Sequence, residues 1–264
     1  MDYRCEATTV EGFVQQLACC YLPHGYWFYV SGWVPAGKDP RAVDQKLLEK
    51  YGIAVSRQAR ARRKLAGLAN LHYLRHERLF VLLAIHGKHH FFEEEERVRD
   101  VRNLPLHFAG YSITYRPGDF KARAGADGPP EPDDKWHSRV QIGREAYRDL
   151  KAYFVERAVR TPADVLSREL YTVPFEPYAR VRQQLLNVLR LVNKARRRAG
   201  DESLPPTVLR YQRRIVKPFD AAAVRTSSSR EGGTRAEDHR KPRRRTAATG
   251  LVSPPLTFRE EETR

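Results

Sequence analysis

Apolar positions along the chain alternate between a helical and a strand period. Val10, Phe13, Val14, Leu17 and Tyr21 recur on one face of an expected helix over Thr8–Leu22. Thr8 and Glu11 have capping-box spacing, and Pro23-His24-Gly25 stops the helix. Tyr26–Pro35, YWFYVSGWVP, is aromatic and β-branched with apolar residues on both faces, which predicts an internal strand. Its aromatic run fits a packed core; on an open sheet face it would make a base-stacking platform. Asp39 as N-cap and Pro40 at the first helical position open a second helix. Val43, Leu47 and Tyr51 give that helix its buried face and Gly52 closes it. Ser56 caps a third helix, SRQARARRKLAG, which is polar nearly all round.

The stretch Leu71–Phe92, LHYLRHERLFVLLAIHGKHHFF, holds the longest apolar run, Leu79–Ile85, and is expected to be the centre of the sheet. It reads as two strands, Leu71–Arg75 and Arg78–Ile85, joined at His76-Glu77. That turn is weak, because neither residue favours the positive φ of a tight hairpin. Glu93–Glu96 begins a charged segment. Leu104–Arg116 predicts a further strand, Pro117–Asp134 a long loop rich in Pro, Gly and Asp, and Trp136–Ile142 a strand that returns to the sheet. Three helices follow. Glu145–Val159 turns Tyr147, Leu150, Phe154 and Ala158 to the core, and a short helix opened by Thr161-Pro162-Ala163-Asp164 ends near Leu170. Tyr178–Ala199 carries the stripe Val181, Leu185, Val188, Leu189 and Val192 before Gly200. From Asp220 the chain is rich in Ser, Gly, Pro and Arg. The expected fold is α+β: a small, mostly antiparallel, ferredoxin-like sheet with helices on one side. Residues 1–160 would form the sheet domain, 161–219 a helical extension packed on it, and 220–264 a disordered basic tail.

Composition narrows the class. In 264 residues, 41% hydrophobic content is enough for a packed core, and no run approaches the length of a membrane span. The N-terminal MDYRCEATTVEG lacks the layout of a secretion signal. Three cysteines, Cys5, Cys19 and Cys20, are odd in number and suit a reducing cytoplasm. The net charge of +16 is concentrated in two segments. Ser56–Arg78 carries seven basic residues against one acidic, and Arg190–Lys217 nine against two. Charge focused in this way points to a polyanionic partner, DNA or RNA, and to no membrane. Arg57, Arg60, Arg63 and Lys64 form the first candidate contact. Arg196, Arg197, Arg198, Arg213 and Arg214 form the second.

Candidate chemistry sits at the end of the central stretch, where His86, His89 and His90 suggest a divalent metal site. The four carboxylates Glu93–Glu96 are a second place for a cation, or a solvated run. The order of elements resembles that of the HUH endonucleases, which include rolling-circle replication initiators and single-strand transposases. In that family a His-hydrophobic-His pair on a central strand holds a metal, and a tyrosine on a following helix attacks a DNA phosphate. The resemblance implies Tyr153, with Tyr147 as the second choice, as nucleophile on EAYRDLKAYF. His86-Gly-Lys-His89-His90 departs from the family's spacing and has a glycine where the strand would continue. Gly37-Lys38 lacks the upstream glycine of a phosphate-binding loop. Cys5, Cys19, Cys20 and His24 do not have zinc-finger spacing. The sequence therefore predicts a nucleic-acid-binding protein of a plasmid, phage or mobile element. A metal-dependent endonuclease and a non-enzymatic interaction module are the alternatives.

Overall fold

A computed structural model describes residues 3–118 and 133–220. The order of elements begins with α1 (Val10–Gln15), capped by Thr9, whose Oγ1 accepts the Gly12 N–H at 3.0 Å. The cap is thus one residue later than the capping-box spacing suggests. The chain continues through one wider π-helical stretch, Gln16–Tyr21, and a 3₁₀ turn that ends at Gly25, φ +93°. Next come β1 (Phe28–Trp33), α2 (Pro40–Lys50), α3 (Arg57–Leu65), β2 (Leu71–His76) and β3 (Leu79–Ala84). Asp39 and Ser56 cap α2 and α3 through their side chains. After α4 (Phe91–Glu94) come β4 (Arg99–Asp100), β5 (Leu106–Phe108), β6 (Tyr111–Pro117) and β7 (Trp136–Ile142). Then follow α5 (Arg144–Arg160), α6 (Ala163–Tyr171) and α7 (Ala179–Ala199).

The strands are antiparallel, in an α+β arrangement as expected, and they divide between two sheets. The first runs β2-β3-β1-β4 and the second β5-β6-β7. In the first, β1 and β2 both run antiparallel to the intervening β3. They are therefore parallel to each other, joined by the crossover through α2 and α3. That is the split β-α-β order of a ferredoxin-like core. The β2–β3 hairpin forms although no glycine is present: Glu77 takes φ +52°. The Arg75 guanidinium donates to the Glu77 carbonyl and so holds the turn closed. Between β5 and β6 the turn is Ala109-Gly110, both with positive φ, and it splits the single strand expected over Leu104–Arg116. Most of the expected Pro117–Asp134 loop, residues 119–132, and the tail from residue 221 lie outside the described residues.

Both faces of the first sheet are covered. On one, Leu71, Tyr73, Leu82 and Ala84 pack with Tyr51, Ile53, Phe91 and Cys5. On the other, His76 meets Phe13 and Phe108, and His72 stacks on Tyr21 at 4.4 Å. Tyr29 is buried, its hydroxyl donating to the Pro105 carbonyl at 2.9 Å, so β1 offers no open aromatic platform. The second sheet exposes β7 as an edge, which α7 closes. The Gln184 amide donates to the Ile142 carbonyl at 3.0 Å and accepts its N–H at 2.8 Å, as a neighbouring strand would.

One ion pair sits inside the helix-covered face. Asp44 is the buried residue of α2, where an apolar face of Val43, Leu47 and Tyr51 was expected. Arg75 of β2 is 2% exposed and grips it through Nε at 2.8 Å and Nη2 at 2.9 Å. The Tyr73 hydroxyl donates to the same carboxylate at 2.6 Å, and Glu6 adds a second acid at 3.2 Å from Arg75. Burial and the Asp44 charge push the Tyr73 phenol far above its ordinary range. Breaking a buried pair strands its partner charge. Asp44→Ala should therefore lower unfolding stability by about 3–5 kcal/mol in urea titration. The double variant Asp44→Leu, Arg75→Met should lose less than Asp44→Ala alone. A loss near zero in the single variant would show that the pair does not hold α2 to the sheet.

His72 carries a pH dependence. Burial first, then the Arg60 charge, pushes its imidazole down to about 3, and its Nδ1 lies 2.9 Å from the Tyr3 hydroxyl. The unfolded chain would protonate near its ordinary value of about 6.5. Because the folded value is the lower, the unfolded state binds the proton first as pH falls. Stability from this group is complete above about pH 6.5 and is lost at up to about 1.4 kcal/mol per pH unit between there and about pH 3. His72→Phe should flatten that part of the stability–pH curve; an unchanged slope would assign it to other groups.

Candidate nucleic-acid interface

Arginine has five N–H donors and suits carbonyl oxygens as readily as phosphates. Much of the sequence's first basic segment is used in this way. Arg60 of α3 donates to the carbonyls of Ile53 at 2.6 Å and Leu71 at 2.8 Å, and Arg63 to Gly52 at 2.9 Å. Arg78 donates to Val34 and Pro35, closing the loop after β1. Arg75 belongs to the buried pair. The face of α3 turned to solvent keeps Arg57, Arg62 and Lys64, with Leu65 beside them. Of the four residues expected at this contact, Arg57 and Lys64 remain exposed, while Arg60 and Arg63 anchor the helix.

The second segment divides likewise. Arg196 is 6% exposed; its Nη1 donates to the Ala158 carbonyl of α5 at 2.8 Å and its Nε to the Glu202 carbonyl at 2.7 Å. It is a tie between α5 and the end of α7, out of a phosphate's reach. This corrects its place among the contacts. Lys194, Arg197 and Arg198 are exposed around it. Residues 210–220 run as a strap from Glu176 to α1. Arg210 lies 2.9 Å from the buried Glu176, which also accepts the Arg214 N–H at 2.8 Å. The Arg213 guanidinium lies 3.1 Å from Cys19 Sγ and 4.7 Å over the Tyr178 ring. Gln15 exchanges two hydrogen bonds with Val216, and Arg4 pairs with Asp220 at 2.8 Å. The arginine side chains at 213 and 214 thus serve the strap first, with the Arg214 side chain still half exposed.

The structure does not bring His86, His89 and His90 together as one group of ligands. His89 and His90 stack on each other at 4.2 Å, His89 Nδ1 accepts the Phe91 N–H, and His90 Nε2 bonds the Lys50 carbonyl. His86 lies exposed beyond them, 6.4 Å from the Phe28 ring. Glu94 pairs with Lys50 at 2.9 Å and Glu95 accepts from the Tyr51 hydroxyl. Among the described residues, no group of three or more His, Cys, Asp or Glu side chains is arranged to hold a metal ion. The tyrosines implied by the endonuclease resemblance are set on α5. The Tyr153 hydroxyl points to Glu169 at 3.4 Å with Arg157 over its ring, and Tyr147 points to the Gln184 carbonyl at 3.4 Å. Burial and Glu169 raise the Tyr153 phenol, the wrong direction for a nucleophile at neutral pH. The neighbours of Tyr153 and those of His86, His89 and His90 do not overlap.

Two other features complete the inventory. A recess of about 530 Å³ opens between α2 and the N-terminal segment, lined by Tyr3, Cys5, Arg41, Asp44 and Glu49 among others. Asp44 is already satisfied there, and burial with the Asp44 charge pushes the Cys5 thiol up to about 12. The recess offers space without a reactive group. The second feature was not foreseen. Trp27, Tyr115 and Trp136 form a ladder of offset-stacked rings, each step 5.7 Å between centroids with planes 24° and 28° apart. Arg102 lies over Trp27, 4.3 Å from the ring centroid, and Asp100 holds its guanidinium with two oxygens. Trp136 is 46% exposed. The only sequence signals were the alternation in WHSRVQI and the aromatic run at Tyr26–Tyr29. Neither says that β6 brings Tyr115 between the two tryptophans.

Among the described residues no helix is long and apolar enough to cross a membrane. Comparison with protein-family models, curated proteins and solved structures finds no match to this chain.

Proposed function

We propose that this protein binds nucleic acid through the phosphate backbone. The observation that carries the reading is the pair of exposed cation groups that the internal ties leave on two helices: Arg57, Arg62 and Lys64 on α3, and Lys194, Arg197 and Arg198 on α7. They stand in a chain whose net charge is +16. Exposed cations of this kind displace condensed counterions from a nucleic acid, and that release drives association. Strand cleavage has less to support it, since its tyrosines and histidines have separate neighbours. Free Cys5, Cys19 and Cys20 are in keeping with a cytoplasmic setting.

Binding to a labelled oligonucleotide should weaken steeply with salt, with the slope of log K against log salt reporting the number of phosphates neutralised. Replacing Arg57, Arg62 and Lys64 together by Ala should weaken binding and reduce that slope by about 2–3. Arg196→Ala should act on stability and leave the slope alone. Absence of binding at low salt to both single strands and duplexes would defeat the reading.

A further inference from the structure

The ladder Trp27–Tyr115–Trp136 is an uncommon use of aromatic surface. Three rings from three separate segments, the residue before β1, the middle of β6 and the start of β7, lie face to face. One end is closed by a cation: the Arg102 guanidinium covers Trp27 and is itself fixed by Asp100. The inner rings are fixed as well. Tyr115 is buried, and the Trp27 indole N–H donates to the Leu22 carbonyl at 3.0 Å. The other end is Trp136, nearly half exposed, whose indole has one face on Tyr115 and stands at the end of the stack. Core tryptophans are normally enclosed on both faces. Here the series of ring contacts ends on a half-exposed indole.

Resting on the nucleic-acid reading above, we propose that Trp136 is a stacking site for an unpaired base of single-stranded nucleic acid. Every nucleobase has a π-face of suitable size, and stacking on an aromatic side chain recognises single strands without a sequence requirement. A paired base in a duplex has both faces covered by its neighbours and would not fit. Cations stand close in the chain: Lys135 precedes Trp136, and Arg116 precedes Pro117, its partner across the β6–β7 ladder, and both are exposed. Arg116 leaves β6 on the sheet face opposite Tyr115 and Trp136, because side chains alternate along a strand, so the site rests on the ring stack rather than on a pair of phosphate contacts. The platform needs little ordering, because the rings beneath Trp136 are already held by packing, a hydrogen bond and Arg102. Trp33, the other strongly exposed tryptophan, sits at the end of β1 outside this stack and supplies the control.

The test uses the full chain, a short oligothymidylate and a duplex of mixed sequence at low salt. Tryptophan emission of the parent protein should be quenched on adding the oligothymidylate. Trp136→Ala should bind it about tenfold more weakly and lose the quench. Trp136→Tyr, which keeps a ring at the site, should hold affinity within about threefold, in line with the tolerance of stacking for different π-faces. Trp33→Phe should change neither affinity nor quench. Affinity for the duplex should be the same in Trp136→Ala as in the parent. The proposal is overturned if Trp136→Ala binds the oligothymidylate as tightly as the parent does, or if its loss is equal on single strand and duplex. In both cases phosphate binding would survive. If the parent binds neither probe, the proposal and the wider reading fall together.

Discussion

The bond between Asp44 and Arg75 fixes the geometry on which the first sheet depends. Arg75 is at an inward position of β2, after Leu71 and Tyr73, and it is almost wholly buried. An inward guanidinium needs a counter-charge and acceptors for its remaining donors. Asp44 supplies the charge from α2, Glu6 from the N-terminal segment, and the Glu77 carbonyl closes the hairpin. One side chain therefore specifies where α2 lies, where the N-terminal residues join β2, and how β2 turns into β3. An apolar substitute would cost less to bury, but would fix none of these relations.

The same economy applies to the other arginines. Arg60, Arg63, Arg78, Arg196 and Arg210 each bond a carbonyl at the end of an element or in a loop. Helix C-termini and irregular connections leave carbonyls without partners, and a guanidinium can satisfy two at once. Net charge consequently overstates the surface available to a polyanion. It counts ties and free cations alike, and their separation depends on which way each side chain leaves its helix. In α3, Arg60 and Arg63 are three apart and turn inward together, while Arg57, Arg62 and Lys64 turn outward.

Local signals were legible where the chain itself fixes the outcome. Asp39-Pro40 and Ser56 start helices, Gly52 and Gly200 end them, and the spacing in Leu71–Ile85 gives a strand pair of which β3 is internal to its sheet and β2 is the outer strand. The split of the strands into two sheets was not legible, because β5, β6 and β7 have the same alternation whichever sheet they join. The Asp44–Arg75 pair was half legible. Asp44, Leu47, Leu48 and Tyr51 lie on one helical stripe, and Arg75 falls on the inward register of β2, so two opposite charges each occupy an apolar position. Only the fold shows that these positions face each other. The histidines misled for a related reason. His86, His89 and His90 are close in sequence, but Gly87 at φ +149° separates His86 from the other two, which stack on each other, and backbone groups take two of their ring nitrogens.

The aromatic ladder follows from the way the two sheets meet. The apolar face of the second sheet, with Phe108 and Tyr115, turns toward α1 and the start of β1, where Phe13 and Trp27 receive it. Trp27 and Tyr115 are the enclosed members of the series, Tyr115 buried and the Trp27 indole tied to the Leu22 carbonyl. Trp136 opens β7 and is 46% exposed, with Tyr115 beside it. An indole packed on a buried ring has less freedom to lose when a ligand settles on it. For a ligand that binds by its own flat face, that combination removes most of the ordering cost from the protein side.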